Sequence, residues 1–241
     1  MCLSAEVSFG AAALLIPAGA LCIHRAYRTD KSYLPIAALP LLFGLQQFSE
    51  GIVWVAGAQN NIALITQASL VYMFFSWLAW PVWIPVSTYF LEPARRKPLY
   101  LGFAILGAML GGLQYFPYFA HQGWLETKFL DHLIVYQGKE LLDFVAGREI
   151  TYLIYVTVVI GPLLLSSIRD VRIFGALAAL VLAVTFIFFS YAYVSVFCFG
   201  GALMSAYLVW MIFRGRERPG LAENLAHGDS QDSNIVDKVP I

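Results

Sequence analysis

The sequence is poor in charge and in cysteine. Lys, Arg, Asp and Glu make up 12% of its 241 residues, against about 25% in typical soluble domains. Basic and acidic residues number 15 each, which argues against a nucleic-acid-binding protein, because such proteins carry a basic surface. The three cysteines are too few for a disulfide-rich scaffold. Because 60% of the residues are hydrophobic, the chain is too apolar for disorder, and the composition predicts an integral membrane protein.

Long stretches without charge predict where the chain crosses the membrane. Between residues 32 and 91 the only charged residue is Glu50, and residues 173–213 contain none. A spanning helix needs about 20 mostly apolar residues, and in lipid its backbone groups must pair within the segment. Division of the apolar stretches at turn residues predicts seven spans. These are 7–23, 34–56, 63–90, 99–119, 150–167, 173–193 and 194–213, with a kink or tilt in the third, which contains Pro81 and Pro85.

The basic residues predict the orientation of the bundle. With the N-terminus outside and seven spans, twelve of the 15 Lys and Arg residues fall in cytoplasmic segments. Only Lys128, Lys139 and Arg148 remain outside. Such an excess on the cytoplasmic side is the positive-inside pattern. We therefore expect an all-α, multi-pass seven-helix bundle in the inner (plasma) membrane, with the N-terminus outside and the C-terminus cytoplasmic.

Two parts of the chain do not read as spans. The transmembrane domain covers residues 1–214, and its outer loop, 120–149, contains apolar and aromatic residues at helical spacing. This spacing predicts an interfacial amphipathic helix. Residues 215–241 form a polar cytoplasmic tail. No basic region precedes the first apolar run, so we expect no cleavable signal peptide.

Glu50 is the clearest anomaly, since it lies inside the second predicted span. An ionised carboxylate in mid-bilayer costs about 2.5–3.5 kcal/mol or more, so such groups face the bundle interior and by default mark function. Gln46 lies four residues earlier on the same helix face, and Gln47 and Trp54 flank it. Two interpretations stay open: a protonated Glu50 that locks helices together through hydrogen bonds, or a binding, proton-relay or catalytic group.

Other polar residues fall at the same depth, in the outer half of the predicted bundle. They include Ser4 near the N-terminus, Gln67 at the start of the third span and Tyr191 near the last turn. Together with Glu50 they predict a polar pocket that binds a small ligand or a proton.

The cysteines and histidines at this end allow several interpretations. Cys2 and Cys198 both lie on the outer side, where disulfides are permitted. They could form a disulfide, bind a metal with His121, His132 or a carboxylate, or pack as buried thiols. For both histidines the alternative is an exposed position at the interface.

Absent motifs narrow the activities. The seventh span has no lysine, which excludes a retinal Schiff base there, and the sequence contains no HExxH zinc-protease motif. It also lacks the GxSxG nucleophile elbow.

Three blocks of the sequence resemble a family of small uncharacterised bacterial membrane proteins. They are the start, MCLSAEVSF, residues 40–54, PLLFGLQQFSEGIVW, and residues 195–199, SVFCF. The resemblance implies the same multi-span fold, and no established activity comes with it. Phe197 and Gly200 depart from the family pattern, which has Trp and an aromatic or Ala there. The residues that it marks are Cys2, Ser4, Ser8, Gln46, Gln47, Glu50 and Cys198.

Three functions follow as hypotheses. The first is a transporter-like or receptor-like protein that binds a small ligand, ion or cofactor, with Glu50 as acceptor and the glutamines as orienting groups. The second is an intramembrane enzyme on a lipid or redox substrate, with a cysteine as nucleophile or metal ligand and Glu50 as acid/base. The third is a structural subunit of a membrane complex. The sequence identifies no cofactor, and it predicts the lipid bilayer, not nucleic acid, as its environment.

Overall fold

The structure is a computed structural model that describes residues 4–121, 123–130, 133–139, 141–144, 147–188 and 193–214. It is mostly helical, and each of the seven predicted spans falls on a helical segment. Five of these segments, α1–α4 and α6 below, are long and apolar enough to cross a membrane. The segments are α1 (Ala5–Thr29), α2 (Lys31–Ala58), α3 (Ile62–Leu91), α4 (Lys97–Ala120), α5 (Arg148–Leu164), α6 (Arg169–Phe188) and α7 (Tyr193–Arg214).

Polar side chains begin the first and third helices. Ser4 precedes α1, and its hydroxyl accepts a hydrogen bond from the backbone N–H of Val7 at 3.5 Å. Asn61 does the same for α3 by accepting from the backbone N–H of Leu64 at 3.1 Å. Such caps satisfy N–H groups that have no partner within the helix.

Glycines let α1 and α2 pack closely as an antiparallel pair. A Cβ atom at Gly19 would collide with the backbone of Leu41. One at Gly44 would lie 2.9 Å from the side chain of Ile16. Small residues at helix contacts are typical of packing in membranes, where van der Waals contact drives helix association.

The prolines of α3 distort it through a π-helical segment, Phe74–Ala79, between α-helical stretches Ile62–Met73 and Trp80–Leu91. The backbone N–H of Trp80 donates to the carbonyl of Phe75, five residues back. Pro81 follows, and a Cβ atom at Gly107 of α4 would collide with its carbonyl oxygen. The glycine therefore allows α4 to pack directly against the distorted part of α3.

The outer loop contains a β-hairpin, so the prediction of an amphipathic helix there is wrong. Strands β1 (Leu125–Leu130) and β2 (Leu133–Gly138) pair antiparallel, from Leu125 opposite Gly138 to Leu130 opposite Leu133. β2 is rich in β-branched and aromatic residues, which favour strands. Its residues 133–136 are buried, because the hairpin packs onto the helices rather than along an interface.

The helices alternate in direction, which defines two ends of the bundle. At the hairpin end, β1 packs against the C-terminus of α2, because a Cβ atom at Gly57 would collide with the ring of Phe129. At the opposite end, which we call the Glu92 end, Arg25 of α1 donates to the backbone carbonyl of Ile212 in α7 at 3.3 Å. The loops between α3 and α4 and between α5 and α6 also lie there.

The outside of the bundle is apolar. Every one of the seven helices carries large hydrophobic side chains that are exposed, up to 75% for Leu14 and 73% for Ile187. A surface of this kind on a water-soluble protein would be an aggregation hazard, whereas lipid solvates it favourably.

Candidate functional site around Glu50

A row of polar side chains on α2 is completely buried. Gln46, Gln47 and Glu50 have no exposed surface, and Ser49 is 4% exposed. The prediction that Glu50 and the two glutamines face the bundle interior is confirmed. Polar groups buried in this way need hydrogen-bond partners, because an unsatisfied one destabilises the fold.

The side-chain amide of Gln46 joins α2 to the distorted part of α3. Its Nε2 donates to the hydroxyl of Ser76 at 3.1 Å. Its Oε1 accepts from the indole Nε1 of Trp80, also at 3.1 Å. The Trp80 ring is stacked on Phe43, with 4.2 Å between ring centroids. These contacts fix both ends of the amide, so Gln46 is a rigid wall of the site. We call the set Gln46, Gln47, Glu50, Ser76 and Trp80 the Glu50 cluster.

The Glu50 carboxyl is held by an amide from its own helix. Gln47 Nε2 donates to Glu50 Oε2 at 3.3 Å. Gly51 brings α1 close, since a Cβ atom there would lie 2.7 Å from the ring of Phe9. The adjacent Ser8 is completely buried, and its hydroxyl has no hydrogen-bond partner among the described residues. Carboxyl, amide and hydroxyl groups thus gather at one depth, where they can accept a proton, a cation or a hydrogen-bond donor.

The hairpin covers the cluster from the hairpin end. The hydroxyls of Ser69 on α3 and Thr127 on β1 are 2.8 Å apart. Tyr136 of β2 stacks on Tyr72 of α3 with ring centroids 4.6 Å apart, and the Tyr72 hydroxyl donates to the carbonyl of Val194 at 3.5 Å. Tyr72 lies one helical turn before Ser76, so hairpin, α3 and α7 meet directly above the cluster.

Other predicted binding residues lie outside this cluster. Gln67 is exposed, so it does not face the buried site. Trp54 is half-buried, with its ring centroid 6.0 Å from that of Phe129. Ser4 serves as the cap of α1, and Tyr191 lies outside the described residues.

The metal and disulfide hypotheses are not tested by the structure. Cys2 and His132 lie outside the described residues, and the side chain of Cys198 is likewise not described. His121 is exposed and stacks on Trp124, with ring centroids 4.2 Å apart. Among the described residues, no group of three or more His, Cys, Asp or Glu side chains could hold a metal ion.

Sequence reasoning missed two members of the cluster, Ser76 and Trp80. Both belong to apolar, aromatic sequence that looks like ordinary lipid-facing helix. The signal that could have found them is Pro81, since a proline inside a helix leaves backbone carbonyls without partners. Tyr155 of α5 satisfies one of these by donating its hydroxyl to the carbonyl of Ser76 at 2.6 Å.

A second buried carboxylate, Glu92, lies at the other end of the bundle. Its side chain has no exposed surface. Oε1 accepts from the hydroxyl of Ser166 at 2.6 Å and from the backbone N–H of Ser167 at 2.7 Å. Arg96 lies 3.9 Å from Oε2 and donates to the carbonyl of Leu165 at 3.2 Å. These bonds tie the α3–α4 loop to the α5–α6 loop, which gives Glu92 a structural role.

The apolar exterior, the long apolar helices and the buried polar interior are those of a helical membrane protein. The chain belongs to DUF6629, a family of unknown function, which matches residues 1–224. The family confirms the resemblance seen in the sequence. No curated protein and no solved structure matches the chain.

Proposed function

We propose that this membrane protein binds a small ligand, ion or cofactor at the Glu50 cluster, in a transporter-like or receptor-like role. The observation that carries the proposal is the complete burial of Gln46, Gln47 and Glu50 side by side. Burial of a carboxylate and two amides in an apolar bundle destabilises the fold relative to apolar side chains of the same size. A binding role gives a reason for their presence.

In this proposal each member has a distinct task. Glu50 accepts a proton, a cation or a hydrogen-bond donor of the ligand. Gln47 orients the carboxyl through the 3.3 Å bond from its amide. Gln46, fixed by Ser76 and Trp80, keeps α2 and α3 at a constant separation. The unpaired hydroxyl of Ser8 supplies a further group at the same depth.

The proposal places all seven helices across the inner membrane, with the hairpin end outside. Its support is the distribution of cation–aromatic pairs. Arg25 lies over Phe213, Lys31 over Tyr27, Lys97 over Tyr89 and Arg214 over Trp210, with 4.6–5.3 Å between each cation and its ring centroid. All four pairs are at the Glu92 end. Basic residues beside aromatic rings are typical of a cytoplasmic membrane interface.

The hairpin has the position of a cover in this arrangement. The bond between Ser69 and Thr127 and the stacking of Tyr72 on Tyr136 close the hairpin end of the site. A ligand that enters from outside would have to displace these contacts, which are few compared with those between helices.

Retention of a ligand by the purified protein tests the proposal. The full chain is extracted in a mild detergent from membranes of cells that make it, and its bound mass is measured by native mass spectrometry, with elemental analysis for zinc, copper and iron. We expect the wild type to retain a non-lipid species. Glu50→Gln should lose it, because the amide preserves shape but cannot carry the charge or the proton.

The exposed Gln67 provides a matched control. Gln47→Leu removes the amide that holds Glu50 and should lower occupancy, whereas Gln67→Leu changes the same residue type at the surface and should leave it unchanged. Equal occupancy in wild type and Glu50→Gln, with only a lower melting temperature in the variant, would show that Glu50 is structural and would refute the proposal.

A further inference from the structure

A small apolar cavity lies beside the π-helical segment of α3, between α3, α5, α6 and α7. Its volume is about 40 Å³, above the roughly 10–15 Å³ that one water requires. Five aromatic rings line it, those of Trp77, Tyr152, Tyr155, Phe186 and Phe197. A water needs two to four polar partners, so walls of this kind suit an apolar occupant.

Trp77 gives the cavity an unused hydrogen-bond donor. The side chain is only 3% exposed, and its indole N–H has no acceptor among the described residues. The ring is held from two sides, by Tyr155 with centroids 5.3 Å apart and by Tyr152 at 6.4 Å. A buried N–H without an acceptor destabilises the protein by about 1–3 kcal/mol, and an oxygen atom of a bound molecule would remove that penalty.

The position of the cavity indicates where its occupant comes from. Phe186, one of the lining rings, is exposed at the surface of α6, while Val156 and Leu182 are half-buried. In a bilayer this side of the bundle faces lipid. The occupant therefore enters from the hydrocarbon region, and π-helical segments such as the one that forms the inner wall occur frequently at functional sites.

We infer that this cavity binds the flat apolar ring of a membrane-soluble molecule, whose carbonyl oxygen accepts the Trp77 N–H. This is the chemistry of a quinone. The aromatic walls supply ring contacts, and the single donor supplies orientation. The site is separate from the ligand proposed at Glu50, so Glu50→Gln leaves it intact.

Two matched probes test the assignment on the full chain in detergent. Duroquinone is a fully methylated benzoquinone that does not add thiols, and durene is a tetramethylbenzene of similar shape without carbonyl groups. By isothermal titration calorimetry, we expect the wild type to bind duroquinone saturably and about tenfold more tightly than durene, the effect of one hydrogen bond. Trp77→Phe removes only the N–H, so it should weaken duroquinone about tenfold and leave durene unchanged.

A substitution that fills the cavity provides the second arm. Leu182→Phe should abolish binding of duroquinone, whereas Leu180→Phe, at a 60% exposed position on the same helix, should not affect it. Trp77→Phe keeps the test decisive if Leu182→Phe does not fold. Equal affinity of the wild type for both probes, or unchanged duroquinone affinity in Trp77→Phe, would overturn the inference. So would absence of saturable binding.

Discussion

Glu50 and Glu92 are both buried carboxylates, but they lie in different surroundings. Glu92 ends α3, and its oxygens receive a hydroxyl and a backbone N–H from a loop 74 and 75 residues away in sequence. Glu50 lies inside α2, where Gln47 of the same helix donates to it. The bonds of Glu92 connect two loops and so account for its burial. The Gln47 bond orients the Glu50 carboxyl without connecting a second element, which is the arrangement expected of a binding group.

The largest expected loss of stability is at Glu92. Glu92→Ala removes the acceptor of two charge-assisted hydrogen bonds, and we expect the free energy of unfolding to fall by about 3 kcal/mol. Arg96→Ala should lower it by less than about 1 kcal/mol, because the Arg96 side chain is 52% exposed and exposed ion pairs contribute little. Reversible unfolding in mixed detergent micelles measures both. Equal losses in the two variants would contradict the assignment of Glu92 as the connection between the loops.

A smaller loss is expected in the Glu50 cluster. Gln46→Leu leaves the Trp80 indole N–H and the Ser76 hydroxyl without their Gln46 bonds, and we expect a loss of about 2 kcal/mol. Gln67→Leu, the same change at an exposed position, should stay within about 0.5 kcal/mol. The same unfolding measurement applies. A loss for Gln46→Leu no larger than that for Gln67→Leu would show that the bridge between α2 and α3 contributes nothing.

The helices could be predicted from the sequence because lipid imposes one strong rule on it. Charge is excluded from long segments, and caps such as Asn61 and prolines such as Pro98 mark their ends. The burial of Gln46, Gln47 and Glu50 follows from the same rule, since lipid-facing positions disfavour amides and carboxylates. Local composition is sufficient for such features.

Features that depend on distant contacts could not be predicted in this way. The apolar spacing of Leu125, Phe129 and Tyr136 fits a helix as well as a strand, and packing of Tyr136 on Tyr72 of α3 selects the hairpin. Gln67 and Ser69 are two residues apart and so point to opposite sides of α3, which only the packing distinguishes. Glu92 reads as a loop residue until the α5–α6 loop covers it.

One comparison tests the central claim most directly: ligand occupancy and melting temperature of Glu50→Gln and Glu92→Gln, measured side by side on the full chain. We predict that Glu50→Gln loses the retained species with little change in melting temperature. Glu92→Gln should keep the species and melt at a lower temperature, because it weakens the connection between the loops. Full occupancy in Glu50→Gln, together with a fall in melting temperature as large as that of Glu92→Gln, would contradict a binding role for Glu50.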